Sequence, residues 1–255
     1  MQGVFEIKGV AFGAGRPVIC IPVMEADRET IIEKIRDLAA RGARMIEWRA
    51  DAFSEVEDAD AVKAVLEAVK PYLEKTVFLY TFRTKKQGGT RALEEKKIIY
   101  LNETAAKSGA VDLVDMEFFE AAKPLKGIRR LQGMGVRVIA SHHDFDHTPD
   151  SRILRMLMDQ MKEGGADIAK IAVMPQSADD VLRLLQLTLD TKKKYPDLPL
   201  VTMSMGSTGV ISRICGETFG SCITFGADGA GSAPGQLQAD DLAQILDTLH
   251  ASIGS

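Results

Sequence analysis

The sequence predicts an α/β protein, a (β/α)8 TIM barrel preceded by a short N-terminal β-hairpin, and three observations carry that prediction. Short apolar runs of strand length alternate with helix-period segments eight times within 255 residues, a length that such barrels occupy as one unit. The runs are rich in apolar and β-branched residues, as buried parallel strands are: 76–83 holds Val77, Phe78, Tyr80 and Phe82, and 165–173 is apolar apart from Asp167 and Lys170. No glycine-rich fingerprint follows the first run, which weighs against the alternative, a doubly wound sheet built around a dinucleotide. No linker or compositional break divides the chain, so residues 1–255 are expected to form one domain.

Residues 4–15 alternate and then break at Gly9, Gly13 and Gly15, the pattern of a hairpin that could plug one end of a barrel. The first strand is placed at 18–23, bounded by Pro22, and a helix over 27–41 with Ile31, Ile35, Leu38 and Ala39 on one face. Then come a strand at 43–49 and a helix at 59–70 stopped by Pro71, a strand at 76–83 and a helix at 91–107. The fourth strand, 111–117, is followed by a helix ending before Gly135. The fifth, 136–143, leads to a helix opened by Thr148-Pro149, with Ile153, Leu154 and Leu157 inward. After the lysine strand, Ser177-Ala178-Asp179-Asp180 reads as a capping pattern for a helix carrying Val181, Leu184, Leu185, Thr188 and Leu189. A strand at 200–205, a short helical stretch at 208–215, a strand at 222–225, a glycine-rich loop at 226–235 and a helix at 239–252 complete the chain.

With 45% hydrophobic residues the chain can bury a full core, and its net charge of −4 argues against a nucleic-acid binder, which needs a basic face. Cys20, Cys215 and Cys222 show no metal or redox spacing and read as reduced thiols of a cytoplasmic protein. The N-terminus carries Glu6 and Lys8 where a signal peptide needs an apolar run. The longest apolar run, near 18–24, is too short for a membrane span.

Barrel active sites form where strands end. The strand ends here supply Glu47, Arg49, Arg83, Glu117, His143, Lys170, Met203 and Met205. Each has a bland reading, as a solvated end or a packing residue. Lys170 is either a strand-end residue snorkelling to water or an amine kept desolvated so that it stays neutral and nucleophilic. Their convergence on one mouth favours a site with tuned ionisation. The run from His142 to His147 holds metal-ligand residue types without the spacing of a zinc signature. The loop 226–235 reads equally as a phosphate grip or as a lid.

Six motifs then point in one direction: Glu47-Trp48-Arg49-Ala50-Asp51, Thr81-Phe82-Arg83-Thr84, Ser141-His142-His143-Asp144-Phe145, Lys170-Ile171-Ala172-Val173-Met174-Pro175, Thr202-Met203-Ser204-Met205-Gly206 with Ile211-Ser212-Arg213, and Gly231-Ser232-Ala233-Pro234-Gly235-Gln236. In this order they resemble the type I 3-dehydroquinate dehydratases over nearly the whole chain. The resemblance implies a cytoplasmic homodimer that dehydrates 3-dehydroquinate, a small anionic cyclic polyol ketone, to 3-dehydroshikimate in the shikimate pathway, with no metal or added cofactor. It implies that Lys170 forms an imine with the ketone and that His143 is the general base and then the general acid. Arg213 would hold the substrate carboxylate, and Glu47, Arg49 and Arg83 its hydroxyls. Ser232, Ala233 and Gln236 would close over the substrate, with Met203, Met205 and Phe225 on its apolar side. The chemistry is coherent, because a protonated imine is an electron sink that acidifies the adjacent C–H. One departure is Gln87, where many relatives carry a glutamate that orients the histidine; an amide can accept the imidazole N–H but brings no full charge. Another is Pro22, where some relatives have serine. A class I aldolase and a binding protein that has lost activity are the competing readings.

Overall fold

The computed structural model describes residues 4–229 and 231–253. The chain opens with the expected antiparallel hairpin, β1 (Phe5–Ile7) and β2 (Val10–Phe12), turned at Lys8 and Gly9 with both residues at positive φ, as a tight hairpin turn requires. Eight parallel strands follow: β3 (Val18–Val23), β4 (Met45–Arg49), β5 (Val77–Thr81), β6 (Leu113–Glu117), β7 (Arg137–Asp144), β8 (Ile168–Val173), β9 (Leu200–Ser204) and β10 (Ile223–Ala227). Each pairs with the next in chain order from β3 to β9. β10 comes back to pair with β3, Phe225 opposite Cys20. On its other side a single bridge between Leu200 and Ser221, with the Cys222 N–H donating to the Leu200 carbonyl at 2.8 Å, joins it to β9. The ring is thereby closed. A short β11 (Leu237–Gln238) extends β10 outward.

The helices α1 (Arg28–Ala40), α2 (Ala59–Val69), α3 (Glu95–Lys107), α4 (Pro124–Gln132), α5 (Ser151–Glu163), α6 (Ala178–Lys194), α7 (Ile211–Ile214), α8 (Gly216–Phe219) and α9 (Ala239–Ile253) connect the strands. Asp27, Asp58, Asp150 and Ser177 cap α1, α2, α5 and α6 by accepting backbone N–H groups of the first turn. Strand parity sorts the core in two. Outward residues such as Ile46, Trp48, Phe78, Tyr80, Val114 and Val138 pack under the helices. Inward ones such as Met45, Val77, Leu79, Leu113, Ile139 and Ile168 fill the barrel, and Val10 and Phe12 of the hairpin belong to that inner cluster.

The hairpin therefore plugs the N-terminal mouth. Lys8 Nζ reaches Asp112 Oδ2 at 2.6 Å and the Thr76 carbonyl at 3.0 Å, both immediately before strands of the wall. With apolar layers and a plug at one end, the polar inward residues are left at the other. That end is the open one.

Several boundaries differ from expectation for local reasons. The helix expected from 91 starts at Glu95, because the Thr90 N–H is taken by Asp51 Oδ2 (3.0 Å) and Arg91 bridges Thr84. α5 starts at Ser151, not at Thr148-Pro149, because the Asp150 carboxylate takes the N–H groups of Arg152 and Ile153. Ile153 then faces outward, and Leu154, Leu157, Met158 and Met161 form the buried stripe. On α6, Leu187 joins that core while Leu189 is only half-buried. The stretch 208–215 splits into α7 and α8. Cys20, Cys215 and Cys222 are free thiols. Among the described residues no helix is long and apolar enough to cross a membrane.

The plug makes a stability prediction. Phe12 is fully buried, so Phe12→Ala should lower unfolding free energy by about 3 kcal/mol in a urea titration. It lies at the end of the barrel away from the polar residues, so turnover at 25 °C should be unchanged.

Candidate active site

Lys170 sits on β8 between the inward residues Ile168 and Ala172, so parity turns it into the barrel. It is 3% exposed. An ammonium cannot stay there unpaired, and its Nζ lies 3.1 Å from Asp115 Oδ2 and 4.7 Å from the centre of the Phe225 ring. The lysine is thus half of a buried ion pair, neither a strand-end residue reaching water nor an amine without a partner. Asp115 is absent from the strand ends singled out above. Its signal is the alternation Leu113, Asp115, Glu117, which places a second acid on the face that carries Glu117.

Asp115 opens a network. Its other oxygen takes Arg83 Nη2 at 2.8 Å and the Ser141 hydroxyl at 2.5 Å. Arg83 Nη1 donates to Glu117 Oε1 (3.1 Å) and to Ser141 Oγ (3.0 Å), and Glu117 also accepts the Thr84 N–H and hydroxyl. Burial alone would raise the Asp115 pKa, but the Arg83 and Lys170 charges overcome it and hold the carboxyl below its usual range. For Arg83, burial opposes the charge while Asp115, Glu117 and Glu47 more than restore it. Arg49 is clamped by Asp51 through Nε (2.8 Å) and Nη2 (2.9 Å), a fork-to-carboxylate match. Glu47 Oε1 accepts the Thr81 hydroxyl at 2.8 Å.

His143 is placed by Gln87. Gln87 Oε1 accepts the backbone N–H of His143 at 3.0 Å and faces its Nδ1 at 3.1 Å. The backbone contact requires an oxygen at that end of the amide, so Nδ1 carries the proton and Nε2 keeps its lone pair. Burial, then the charges of Arg83, Lys170 and Arg49, push the His143 pKa well below 6.5. The ring is neutral near pH 7. His142 points the other way, edge-on to Phe119, with its pKa lowered by burial.

Over the mouth lies the loop after β10. The Ser232 N–H donates to Gln236 Oε1 and Gln236 Nε2 to Ser232 Oγ, both at 2.8 Å; Ala230 of this loop lies outside the described residues. Arg213 on α7 is 2% exposed. Its Nη2 donates to the Pro234 carbonyl at 2.8 Å, Nη1 lies 3.8 Å from Met203 Sδ, and Nε has no partner among the described residues. Burial with no carboxylate beside it pulls the guanidinium pKa down to about 10. The barrel thus holds four buried cations, Arg49, Arg83, Lys170 and Arg213, and four buried carboxylates, Glu47, Asp51, Asp115 and Glu117. Of the four cations, only Arg213 lacks an anion among the described residues.

These groups enclose a cavity of about 40 Å³. Every site residue named from the sequence borders it except Glu117, which is turned to Arg83 and Thr84, and Arg213, which stands behind Met203 and Pro234. That volume is small beside the range of about 300–1,000 Å³ of a typical small-molecule site. Among the described residues no cluster of three His, Cys, Asp or Glu side chains is arranged to hold a metal ion.

A closed parallel barrel that gathers buried cations and carboxylates at one mouth, beneath a loop, has the form of a barrel enzyme. The family model of type I 3-dehydroquinase matches residues 19–253. A 3-dehydroquinate dehydratase of Listeria monocytogenes is 43% identical over 245 residues, 96% of this chain and 97% of that protein. One from Bacillus licheniformis is 39% identical over 254 residues, 99% and 100%. The structure of a type I enzyme from Clostridium difficile with covalently modified comenic acid superposes with a TM-score of 0.94 at 40% identity, covering 99% of this chain and 100% of that one. The chain belongs to the type I 3-dehydroquinase family, and it is a hydro-lyase.

The histidine environment is testable by NMR. The His143 imidazole should stay neutral to well below pH 6.5, with Nδ1 protonated. Gln87→Glu places a negative charge 3 Å or so from the ring and should move its titration midpoint up by about one unit; an unchanged midpoint would mean that Gln87 does not govern this ring.

Proposed function

We propose that this protein dehydrates 3-dehydroquinate to 3-dehydroshikimate, the third step of the shikimate pathway, through a Schiff base on Lys170 with His143 as general acid and base. The observation that carries the reading is that Lys170 and His143 border one cavity whose neighbouring guanidinium, Arg213, lacks a counter-ion. The Lys170 amine attacks the ketone carbon, and loss of water leaves a protonated imine. The neutral His143 Nε2 then takes a proton from the carbon next to the imine carbon, and the electron pair moves into the C–N system as an enamine. The same imidazole, now protonated, gives its proton to the departing hydroxyl as the new C=C bond forms. Hydrolysis of the imine consumes one water and frees Lys170, so the net change is loss of one water from the substrate.

The imine keeps one positive charge where the ammonium had it. Asp115, 3.1 Å from Nζ in the free protein, can therefore pair with both without rearranging. Arg213 is suited to the substrate carboxylate, because a planar fork can take both oxygens. Glu47, Arg49 and Arg83 are positioned by Thr81, Asp51 and Asp115 to meet ring hydroxyls. Met203, Met205 and Phe225 form an apolar side, while Ser232, Ala233 and Gln236 cover the mouth. The C. difficile relative, described with covalently modified comenic acid, supports a covalent mode. The reading includes a cytoplasmic homodimer with a small-molecule substrate and no metal or added cofactor.

Borohydride trapping decides it. Wild-type protein incubated with 3-dehydroquinate and borohydride should gain a stable adduct on the peptide containing Lys170, and Lys170→Ala should gain none and lose turnover by about 10⁴-fold or more. Turnover without a trappable adduct would end the Schiff-base account. Arg213→Ala should raise KM for 3-dehydroquinate by about 100-fold, with a smaller effect on kcat, as loss of a charged fork predicts.

A further inference from the structure

Gln87 is held from two sides, and His143 is only one of them. It closes a single 3₁₀ turn, Lys85–Gln87, ended by Gly88 at a φ of 83°, and it is 2% exposed. A side chain at 88 would strike the Phe145 ring, which is stacked 6.4 Å from the ring of His143. Turn and ring therefore confine the amide to one slot. Across that slot from His143 stands Glu120, three residues beyond the end of β6. Its loop is docked on β7 by Phe119, whose ring meets His142 edge-on at 5.4 Å.

An amide has nearly the same shape either way round, so its direction is set by what faces each end. Gln87 Oε1 faces the N–H and Nδ1 of His143, and Gln87 Nε2 faces Glu120 Oε1 at 3.5 Å. That distance is long for a hydrogen bond. What the contact supplies is direction, because the carboxylate attracts the NH2 end of the amide and repels its oxygen. Lys86 takes the other carboxylate oxygen, Oε2, at 2.8 Å, which leaves Oε1 to the amide. Turned over, the amide would set its NH2 against the His143 N–H and its oxygen against Glu120, two like contacts at once. His143 would then accept at Nδ1 and carry its proton on Nε2, the nitrogen that has to be free to take one.

We propose that Glu120 is a positioning residue for His143: it holds the Gln87 amide in one direction, and the amide in turn holds the imidazole in the tautomer whose Nε2 is free. The inference rests on the reading of His143 as the acid–base group. It also accounts for the amide at position 87. A carboxylate there would face Glu120 charge to charge, and one of the two would be driven to hold a proton. Positions 87 and 120 are thus a matched pair, an amide with an acid, and neither works unchanged when the other is replaced.

A double-mutant cycle between positions 87 and 120 tests this, read by nitrogen NMR of isotope-labelled histidine in the full chain and by kcat. In the wild type His143 should be protonated on Nδ1. Glu120→Ala should populate the Nε2–H form and lower kcat by about fivefold with KM unchanged. Glu120→Gln, whose own oxygen can accept from the Gln87 NH2, should keep the wild-type tautomer and most of the activity. In a Gln87→Glu background the sign should reverse, and Glu120→Ala should raise kcat by about twofold or more, because it removes a like charge. Should alanine loosen the loop, Glu120→Met keeps the side-chain volume, and the same tautomer shift is expected of it. A wild-type tautomer in both Glu120→Ala and Glu120→Met, or a loss of kcat that is the same in both backgrounds, overturns the proposal. The tautomer is read without substrate, so a shift in a protein that does not turn over 3-dehydroquinate would refute the reaction while upholding the Glu120–Gln87–His143 arrangement.

Discussion

An ammonium held against a carboxylate in the middle of a closed ring of strands is the constraint from which the rest of this barrel follows. Removing either member of a buried pair strands the other, at a cost of about 3–5 kcal/mol, so Lys170 and Asp115 have to be kept together. Asp115 in turn recruits Arg83 and Ser141, and Arg83 recruits Glu117, whose oxygens are fixed by Thr84. Each buried charge is made tolerable by the next. The chain of partners ends at the strand tips, where side chains can begin to meet a ligand. A positive charge at Lys170 persists when the amine becomes a protonated imine, so the scaffold that stabilises the resting protein needs no rebuilding during the reaction we propose.

The imidazole is governed by the opposite logic. His143 lies among cations, Arg83, Lys170 and Arg49, all of which disfavour its protonation, as does its burial. A neutral amide at Gln87 adds geometry without offsetting charge. It fixes the tautomer by accepting both the backbone N–H and Nδ1 of the same residue. Orientation and basicity, joined in one residue where a glutamate stands, are separated in this chain.

Much of this was legible from residue pattern. Apolar runs at strand length, the hairpin before them and the capping residue Ser177 all follow local rules, and local rules survive folding. The strand-end residues, Glu117 apart, border one cavity because the parallel strands of a closed barrel all end at the same mouth. Asp115 escaped because it sits one pleat below the strand end, where apolar filling is the norm. Its role as partner to Lys170 depends on a register two strands away, which sequence periodicity does not contain. Ile153 was misplaced for a different reason. The buried stripe of α5 is Leu154, Leu157, Met158 and Met161, spaced i, i+3, i+4 and i+7, and Ile153 lies about 100° round from Leu154, off the edge of that stripe. The exception among the site residues, Arg213, stands behind the cavity because its guanidinium is tied to a carbonyl of the covering loop.

That carbonyl links two events. Pro234 O accepts from the Gly206 N–H (3.2 Å) as well as from Arg213 Nη2 (2.8 Å), so one oxygen fastens the loop to both the strand end and the guanidinium. In the reading we propose, the substrate carboxylate, a far stronger acceptor, competes for the same guanidinium. Whatever it gains there it takes partly from the latch, so ligand affinity and loop position are reciprocal quantities, and neither can be tuned by evolution or by an inhibitor designer without moving the other.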